Sequence, residues 1–231
     1  MKHFKKFEDI NKYQSYINSD NYIWPNVSLI NDNKSMYYEQ KKYDSKIEYL
    51  ESTGTQHILS DLYGSNEIGF EIKFSFSSKG STEDSGSATI FGSRTNATTA
   101  SYQLSTFSNG TVSFKNLNSQ FSINSTNIDY IVRFENNKIY VNGAQKKTIN
   151  VSYVFTTPTP LVFFALYQDE YTEHLFGKIY YIKFFNRTTL EPIAEYIPVR
   201  KGNVGYMYNK ISRKILGNIG TDNFILGPDI T

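Results

Sequence analysis

The chain has 231 residues, of which 39% are hydrophobic and 20% charged, a balance typical of a soluble globular protein. Its formal net charge is only +2 and its lysines are scattered, which argues against nucleic-acid binding. The absence of cysteine excludes disulfide bonds and thiolate metal sites. We expect no membrane span, because no apolar run is long enough, and no secretory signal, because residues 1–13 lack an apolar core.

Residues 1–45 differ in pattern from the rest of the chain and predict an N-terminal arm. The segment KHFKKFEDINKYQSYI (2–17) spaces apolar residues three apart, which favours a short amphipathic helix. An extended stretch follows, and it contains Trp24, Pro25, Val27, Leu29 and Ile30. The arm is too small to bury a core of its own. We expect it to attach the protein to a partner or to other copies of the chain, the alternative being that it covers its own domain.

From residue 46 onward the chain alternates strand-forming runs with turns. Aromatic and β-branched residues at period two predict the strands, and Gly, Asn and Ser clusters separate them. The predicted strands are 47–50, 70–76, 88–92, 102–105, 111–114, 130–134, 139–141, 161–166, 177–185, 194–199, 205–208 and 214–218. Turns that need positive φ are predicted at Gly202, Gly205, Gly217 and Gly220. Many strands without a helical insert favour a two-sheet sandwich.

The stretch 129–143 (DYIVRFENNKIYVNG) predicts the central hairpin of this sandwich. Apolar residues alternate on both sides of Asn136 and Asn137, a pair that tolerates the positive φ of a tight turn. Ile139 and Val141 share one face of the second strand, so we expect both in the core. The Asn-Gly pair that follows predicts a second turn.

Three strings of this sequence resemble known phage and lectin-like domains. IYVNG (139–143) resembles the hairpin of laminin-G-like and concanavalin A-like jelly rolls. KIEYLESTGTQHI (46–58) resembles the entry strand of a jelly-roll module in tail and head fibres of phages that infect gut Bacteroidales. EYIPVRKGNVGYMYNKISRKILGNIGTDNFILGPD (195–229) resembles the C-terminal signature of the same phage family, an Arg-Lys-Gly segment followed by a Tyr-Met-Tyr-Asp-like hairpin and a Gly-Asn turn. Asn209 stands where Asp is common in that signature.

The resemblance implies an all-β protein, a two-sheet antiparallel jelly-roll sandwich of the concanavalin A-like type. It places the extended arm at residues 1–45 and the jelly roll at 46–231, with a C-terminal hairpin segment at 199–231. It also implies a non-enzymatic bacteriophage virion protein, a head-fibre, tail-fibre or decoration component of crAss-like phages that is made in the host cytoplasm. Such a protein would bind other virion proteins through its arm, form a homo-oligomer and display a lectin-like domain to host glycans.

Two other functions stay open. One is a carbohydrate-binding adhesion module of a bacterium or a phage. In lectins of this class, loop Asp and Asn residues and a stacking aromatic hold the sugar, often beside Ca²⁺. The candidate ligand-binding residues here are Tyr167, Asp169, Tyr171 and Asn96. The alternative is that these loops are solvated and bind nothing. Ca²⁺ needs six or more oxygen ligands, and the acids of residues 169–173 could supply only some, so we expect no cofactor.

The other function is glycoside hydrolysis, which the sequence disfavours. The nearest match to a hydrolase Glu-x-Asp-x-Glu strand is DEYTE (169–173), which is most simply a polar loop between strands. Were it a strand, Asp169 and Glu173 would share a face about 13 Å apart. A retaining pair of carboxyl groups needs about 5–5.5 Å. The three histidines do not have metal-ligand spacing either, so we expect no catalytic residue and no metal site.

Overall fold

The computed structural model of the chain describes residues 4–7, 36–39, 42–77, 87–95, 101–107, 111–115, 119–123, 125–149 and 154–230. Every helix or strand assigned within these residues is a β-strand, so they contain no helix. The chain divides into two compact units, Met1–Asp44 and Ser45–Thr231. The predicted partner contacts Trp24, Pro25, Val27, Leu29 and Ile30 lie outside the described residues.

In the first unit, β1 (Phe4–Phe7) pairs antiparallel with β2 (Met36–Glu39). The helix predicted from residue 2 is therefore wrong at residues 4–7. Isolated helices of this length are marginal in water, because the free energy needed to form the first turn exceeds what a few further turns contribute. Pairing with β2 gives the same backbone groups partners that a short helix cannot supply at its ends.

The second unit contains the remaining strands. They are β3 (Ser45–Ile47), β4 (Leu50–Thr53), β5 (Ile58–Ser65), β6 (Ile68–Phe76), β7 (Ser87–Ser93), β8 (Tyr102–Phe107), β9 (Thr111–Lys115), β10 (Ser119–Ser122), β11 (Tyr130–Glu135), β12 (Lys138–Val141), β13 (Ala144–Thr148), β14 (Thr156–Phe163), β15 (Leu166–Gln168), β16 (Glu170–Thr172), β17 (Phe176–Asn186), β18 (Pro192–Lys201), β19 (Val204–Asn209), β20 (Lys214–Gly217), β21 (Ile225–Leu226) and β22 (Asp229–Ile230).

These strands form two sheets. The larger sheet has 12 strands. Eight follow the order β13-β12-β11-β6-β17-β18-β19-β20, while β4 pairs with both β17 and β21, and β3 pairs with both β18 and β22. The smaller sheet has 8 strands and runs β10-β9-β8-β7-β14-β5. Its last two strands, β15 and β16, form a hairpin that joins the sheet through a parallel pairing of β15 with β7.

The core lies between the two sheets. Phe70 of β6 meets Phe91 of β7 with ring centroids 5.1 Å apart, and Phe91 meets Phe184 of β17 at 5.5 Å. Phe163 of β14 packs edge-on against Tyr196 of β18 at 4.8 Å. Aromatic pairs in this geometry contribute about 0.5–1.5 kcal/mol each beyond the area that they bury. The predicted all-β two-sheet sandwich is confirmed.

The central hairpin has the predicted register. Val132 pairs with Val141 and Phe134 pairs with Ile139, and all four side chains are buried. Asn136 and Asn137, at the turn, have φ of 45° and 61°, the pair of positive values that a type I′ turn requires. The following turn, Asn142 and Gly143, has positive φ at both residues as well.

Two local predictions are wrong. The run 161–166 is not one strand, because Phe164 has a φ of 68° and turns the chain out of β14 and into β15. Of the four glycines predicted to need positive φ, only Gly202 has it, at 58°. At positions 205 and 220, glycine is needed instead because there is no room for a side chain. A Cβ on Gly205 would lie 2.4 Å from Leu50, and one on Gly220 would lie 2.1 Å from the carbonyl oxygen of Thr55.

Asn209 stabilises the C-terminal hairpin as an amide. Its Nδ2 donates to Asp61 at 3.0 Å, and its Oδ1 accepts the backbone N–H of Ile211 at 3.0 Å. Asp61 also accepts the hydroxyls of Tyr196 and Ser212. Burial alone would raise the pKa of Asp61, but these hydrogen bonds outweigh it and hold that pKa below its usual value. An Asp at position 209 would instead place a second carboxylate against the first.

The part of the chain that the structure describes contains no helix long and apolar enough to cross a membrane.

Candidate functional site

The predicted binding loop is a β-hairpin, formed by β15 and β16. Phe164 turns the chain so that β15 pairs with β7 in parallel, and Tyr167 then pairs directly opposite Tyr171. Asp169 occupies the turn between the strands with a φ of 62°, a conformation that Asp tolerates well. The prediction of an irregular polar loop at residues 169–173 is therefore wrong, because backbone pairing continues up to this turn.

A buried polar network anchors the hairpin to the smaller sheet. Glu173 is only 5% exposed and forms an ion pair with Arg94 at 3.4 Å. Its Oε2 accepts hydrogen bonds from Thr89 at 2.8 Å and from Gln103 at 3.0 Å. Arg94 also donates from Nε to Gln168 of β15 at 2.6 Å. The network therefore ties residues at both ends of the hairpin to β7 and β8.

The backbone reinforces this anchor. The N–H of Arg94 donates to the carbonyl oxygen of Tyr167 at 3.0 Å, and the N–H of Thr89 donates to that of Glu173 at 2.7 Å. A buried ion pair costs desolvation free energy that its attraction only partly returns, so it is weak evidence of a contribution to stability. The arrangement does, however, fix the position of the hairpin relative to the smaller sheet.

The anchored hairpin carries an aromatic cluster. Tyr167 and Tyr171 are half-buried and meet edge to face with ring centroids 5.1 Å apart. The ring of His57 lies 4.2 Å from that of Tyr171 and 5.2 Å from that of His174. Burial, and to a smaller extent the neighbouring phenol of Tyr167, raises the pKa of Tyr171. The Tyr171 hydroxyl therefore keeps its proton at neutral pH and can both donate and accept a hydrogen bond.

His57 connects the aromatic cluster to the C-terminal segment. Its backbone N–H donates to Oδ1 of Asn218 at 3.0 Å, and its backbone carbonyl oxygen accepts the N–H of Ile219 at 2.9 Å. His57 is 6% exposed as a residue, and neither ring nitrogen has a hydrogen-bond partner among the described residues. Burial, followed by the charge of His174, lowers the pKa of His57 to about 4.

The structure thus brings three of the four predicted binding residues onto one hairpin. Tyr167 and Tyr171 are adjacent, Asp169 is exposed at the turn, and Asn96 lies outside the described residues. Sequence reasoning considered Glu173 only as an acid of the 169–173 segment and did not predict its contact with Arg94 or the position of His57, because residue spacing does not show that segments so far apart in the chain will meet.

The two outer acids of the 169–173 segment lie in different environments. Glu173 points into the buried network, whereas Asp169 is exposed at the turn. Among the residues that the structure describes, no group of three or more His, Cys, Asp or Glu side chains could hold a metal ion.

Comparisons with known proteins give a distant likeness in fold. No family model matches the chain, and no curated protein matches it. A solved structure that it resembles belongs to a Bacteroides ovatus protein thought to bind carbohydrate. The alignment covers 89% of this chain and 67% of that one, with 12% sequence identity and a TM-score of 0.46. A likeness this distant supports no statement about what this chain binds.

Proposed function

We propose that the second unit, Ser45–Thr231, is a carbohydrate-binding module whose ligand contacts Tyr167 and Tyr171. The observation that carries this proposal is a pair of half-exposed phenol rings on a hairpin that a buried ion pair holds in place. A binding site benefits from such rigidity, because a preorganised surface loses less entropy when the ligand binds.

The chemistry of the pair suits a sugar. One side of a pyranose ring carries C–H groups, which gain free energy when they pack on an aromatic ring, while the hydroxyls need hydrogen-bond partners. The phenol hydroxyls can supply donors and acceptors, and the exposed carboxylates of Asp169 and Glu170 can accept from sugar hydroxyls.

A glycan array of immobilised neutral and acidic glycans tests the proposal. The full chain should bind a subset of the glycans, and Tyr171→Ala should weaken that binding at least about tenfold. Tyr63→Ala is the matched control, since Tyr63 of β5 is 49% exposed and lies outside the aromatic cluster. Absence of any bound glycan, or equal losses in the two variants, would refute the proposal.

A narrower proposal is that the module belongs to a bacteriophage virion, as a head-fibre or tail-fibre component made in the host cytoplasm. What supports it is the sequence resemblance of residues 46–58 and 195–229. Under this proposal the arm binds other virion proteins and holds several copies together. Electron microscopy of virions labelled with an antibody to this chain tests it, and virions that carry no label would count against it.

A further inference from the structure

A second polar surface lies on the solvent face of the larger sheet. Strand register places Arg133 of β11 opposite Glu71 of β6, Glu71 opposite Lys183 of β17, and Lys183 opposite Glu195 of β18. Charges of alternating sign therefore form a straight row across four neighbouring strands. Their formal sum is zero, which matters for the kind of ligand that the row can attract.

Hydrogen bonds connect the first three charges of the row, and the fourth, Glu195, forms an ion pair with Lys210 at 3.0 Å. Glu71 accepts hydrogen bonds from Arg133 at 2.9 Å, from Tyr181 at 3.1 Å and from Lys183 at 3.4 Å. Burial alone would raise the pKa of Glu71, but the hydrogen bond from Arg133 and the charge of Lys183 outweigh it and lower that pKa. Arg133 contacts Glu135 as well, and its guanidinium lies 5.1 Å from the centroid of the Phe185 ring.

A groove of about 370 Å³ runs beside this row. The four charges of the row line it together with Leu190 and Pro192. The pairing of β17 with β18 shifts register between Phe184 and Phe185 at the groove, where Ile193 of β18 is the extra residue of a bulge. Such bulges occur preferentially beside functional sites, where they change the direction of a side chain. The volume is at the small end of the range of about 300–1,000 Å³ that small-molecule sites occupy.

Leu190 forms an apolar lip on the groove, and the fold does not explain it. This side chain is 42% exposed, and its backbone has a φ of 63°. Positive φ is unfavourable for a bulky residue, and a Gly or an Asn would serve the turn better. The turn itself is well ordered by hydrogen bonds, since Asn186 accepts the N–H groups of Thr188, Thr189 and Leu190 at 2.8–2.9 Å.

We infer that this groove, defined by the charged row and the Leu190 lip, binds a neutral sugar ring. Fixed carboxylate and cationic groups offer acceptors and donors to adjacent hydroxyls, while Leu190 and Pro192 cover the apolar face of the ring. The zero net charge favours a neutral ligand over an anionic one. The site is separate from the β15–β16 hairpin and rests on its own lining, so it does not depend on the proposed function.

Nuclear magnetic resonance with neutral methyl glycosides as probes tests the inference on the full chain. Methyl glucoside, galactoside, mannoside and N-acetylglucosaminide at millimolar concentration should include at least one that shifts backbone amides of residues 183–195. Leu190→Asn should weaken this binding at least about fivefold without lowering the melting temperature, because Asn accepts positive φ. Val204→Asn is the matched control, since Val204 of β19 is 39% exposed and does not line the groove.

Three results would overturn the inference. They are unshifted amides at residues 183–195 with every probe, unchanged binding in Leu190→Asn, and tighter binding of methyl glucuronide than of any neutral probe. Shifts at residues 166–174 are recorded in the same spectra and report on the hairpin, so failure of one site is distinguishable from failure of the other.

Discussion

Single residues decide whether the β15–β16 hairpin keeps its position, and Glu173 is the main one. Glu173→Ala removes the acceptor for Arg94, Thr89 and Gln103 and leaves a largely buried guanidinium without its anion. Removing one member of a buried pair costs about 3–5 kcal/mol. We expect a loss of this order in the free energy of unfolding, measured by urea denaturation.

The neighbouring acid provides the control for this change. Glu170 lies on the same hairpin but is exposed, so Glu170→Ala should change the free energy of unfolding by less than about 0.5 kcal/mol. Equal stabilities of Glu173→Ala and Glu170→Ala would mean that the network does not hold the hairpin.

His57 makes the stability of the protein depend on pH. Its pKa is about 4 in the folded chain, against an ordinary value of 6.5, so between these values the unfolded chain binds more protons. The stability that its neutral form contributes is present above pH 6.5 and is lost as the pH falls towards 4. The loss is up to about 3 kcal/mol, and protonation would add a positive charge beside His174 and the Tyr171 ring.

Thermal unfolding of the wild type and of His57→Phe, compared between pH 7 and pH 5, measures this effect. The variant keeps an aromatic ring beside Tyr171 but cannot be protonated, so its melting temperature should fall less over this range. Half-buried carboxylates such as Glu71 lose their contribution mainly below this window, because their ordinary pKa of 4.5 already lies below pH 5 and the folded chain lowers it further. Parallel melting curves for the two proteins would contradict the assignment.

At the scale of elements, the central hairpin tests the register of the larger sheet. Val141 is buried opposite Val132, so Val141→Asp would bury a carboxylate without a partner and should give insoluble protein. Lys138 is exposed on the same strand, so Lys138→Asp should stay soluble with little change in melting temperature. The measurement is soluble yield followed by thermal unfolding, and a soluble Val141→Asp protein that melts normally would refute the register.

Element prediction succeeded where the signal was local. Asn136, Asn137 and the alternating residues around them predict a hairpin whose register follows from its two-residue turn. The β15–β16 hairpin was missed, because its strands are short and Phe164, a residue without turn propensity, begins it with a positive φ. Tertiary contacts hold that φ, since the N–H of Phe164 donates to Ile90 and its ring packs on Phe224.

At the scale of the whole molecule, the division into two units predicts that thermal stability and self-association depend on different parts of the chain. A truncated chain that begins at Ser45 keeps β3, whose first residue pairs with Arg200 of β18. We expect it to melt within about 3 °C of the full chain but to lose self-association, because the arm supplies that contact in our proposal. Calorimetry and analytical ultracentrifugation measure the two properties.

Two outcomes would change this interpretation. Aggregation of the truncated chain would mean that residues 1–44 cover the domain instead of binding a partner. A folded truncated chain that self-associates like the full chain would place the contact within residues 45–231.

By itself, the sequence determined the all-β class, the two-sheet sandwich and the central hairpin, because period-two hydrophobicity and Asn-rich turns act over a few residues. It also selected Tyr167, Asp169 and Tyr171, because acids and aromatics between apolar strands stand out locally. Only the tertiary structure decided that Glu173 is buried against Arg94 and that Arg133, Glu71, Lys183 and Glu195 form one row. Those contacts join residues far apart in the chain, and their register depends on how all the strands pair.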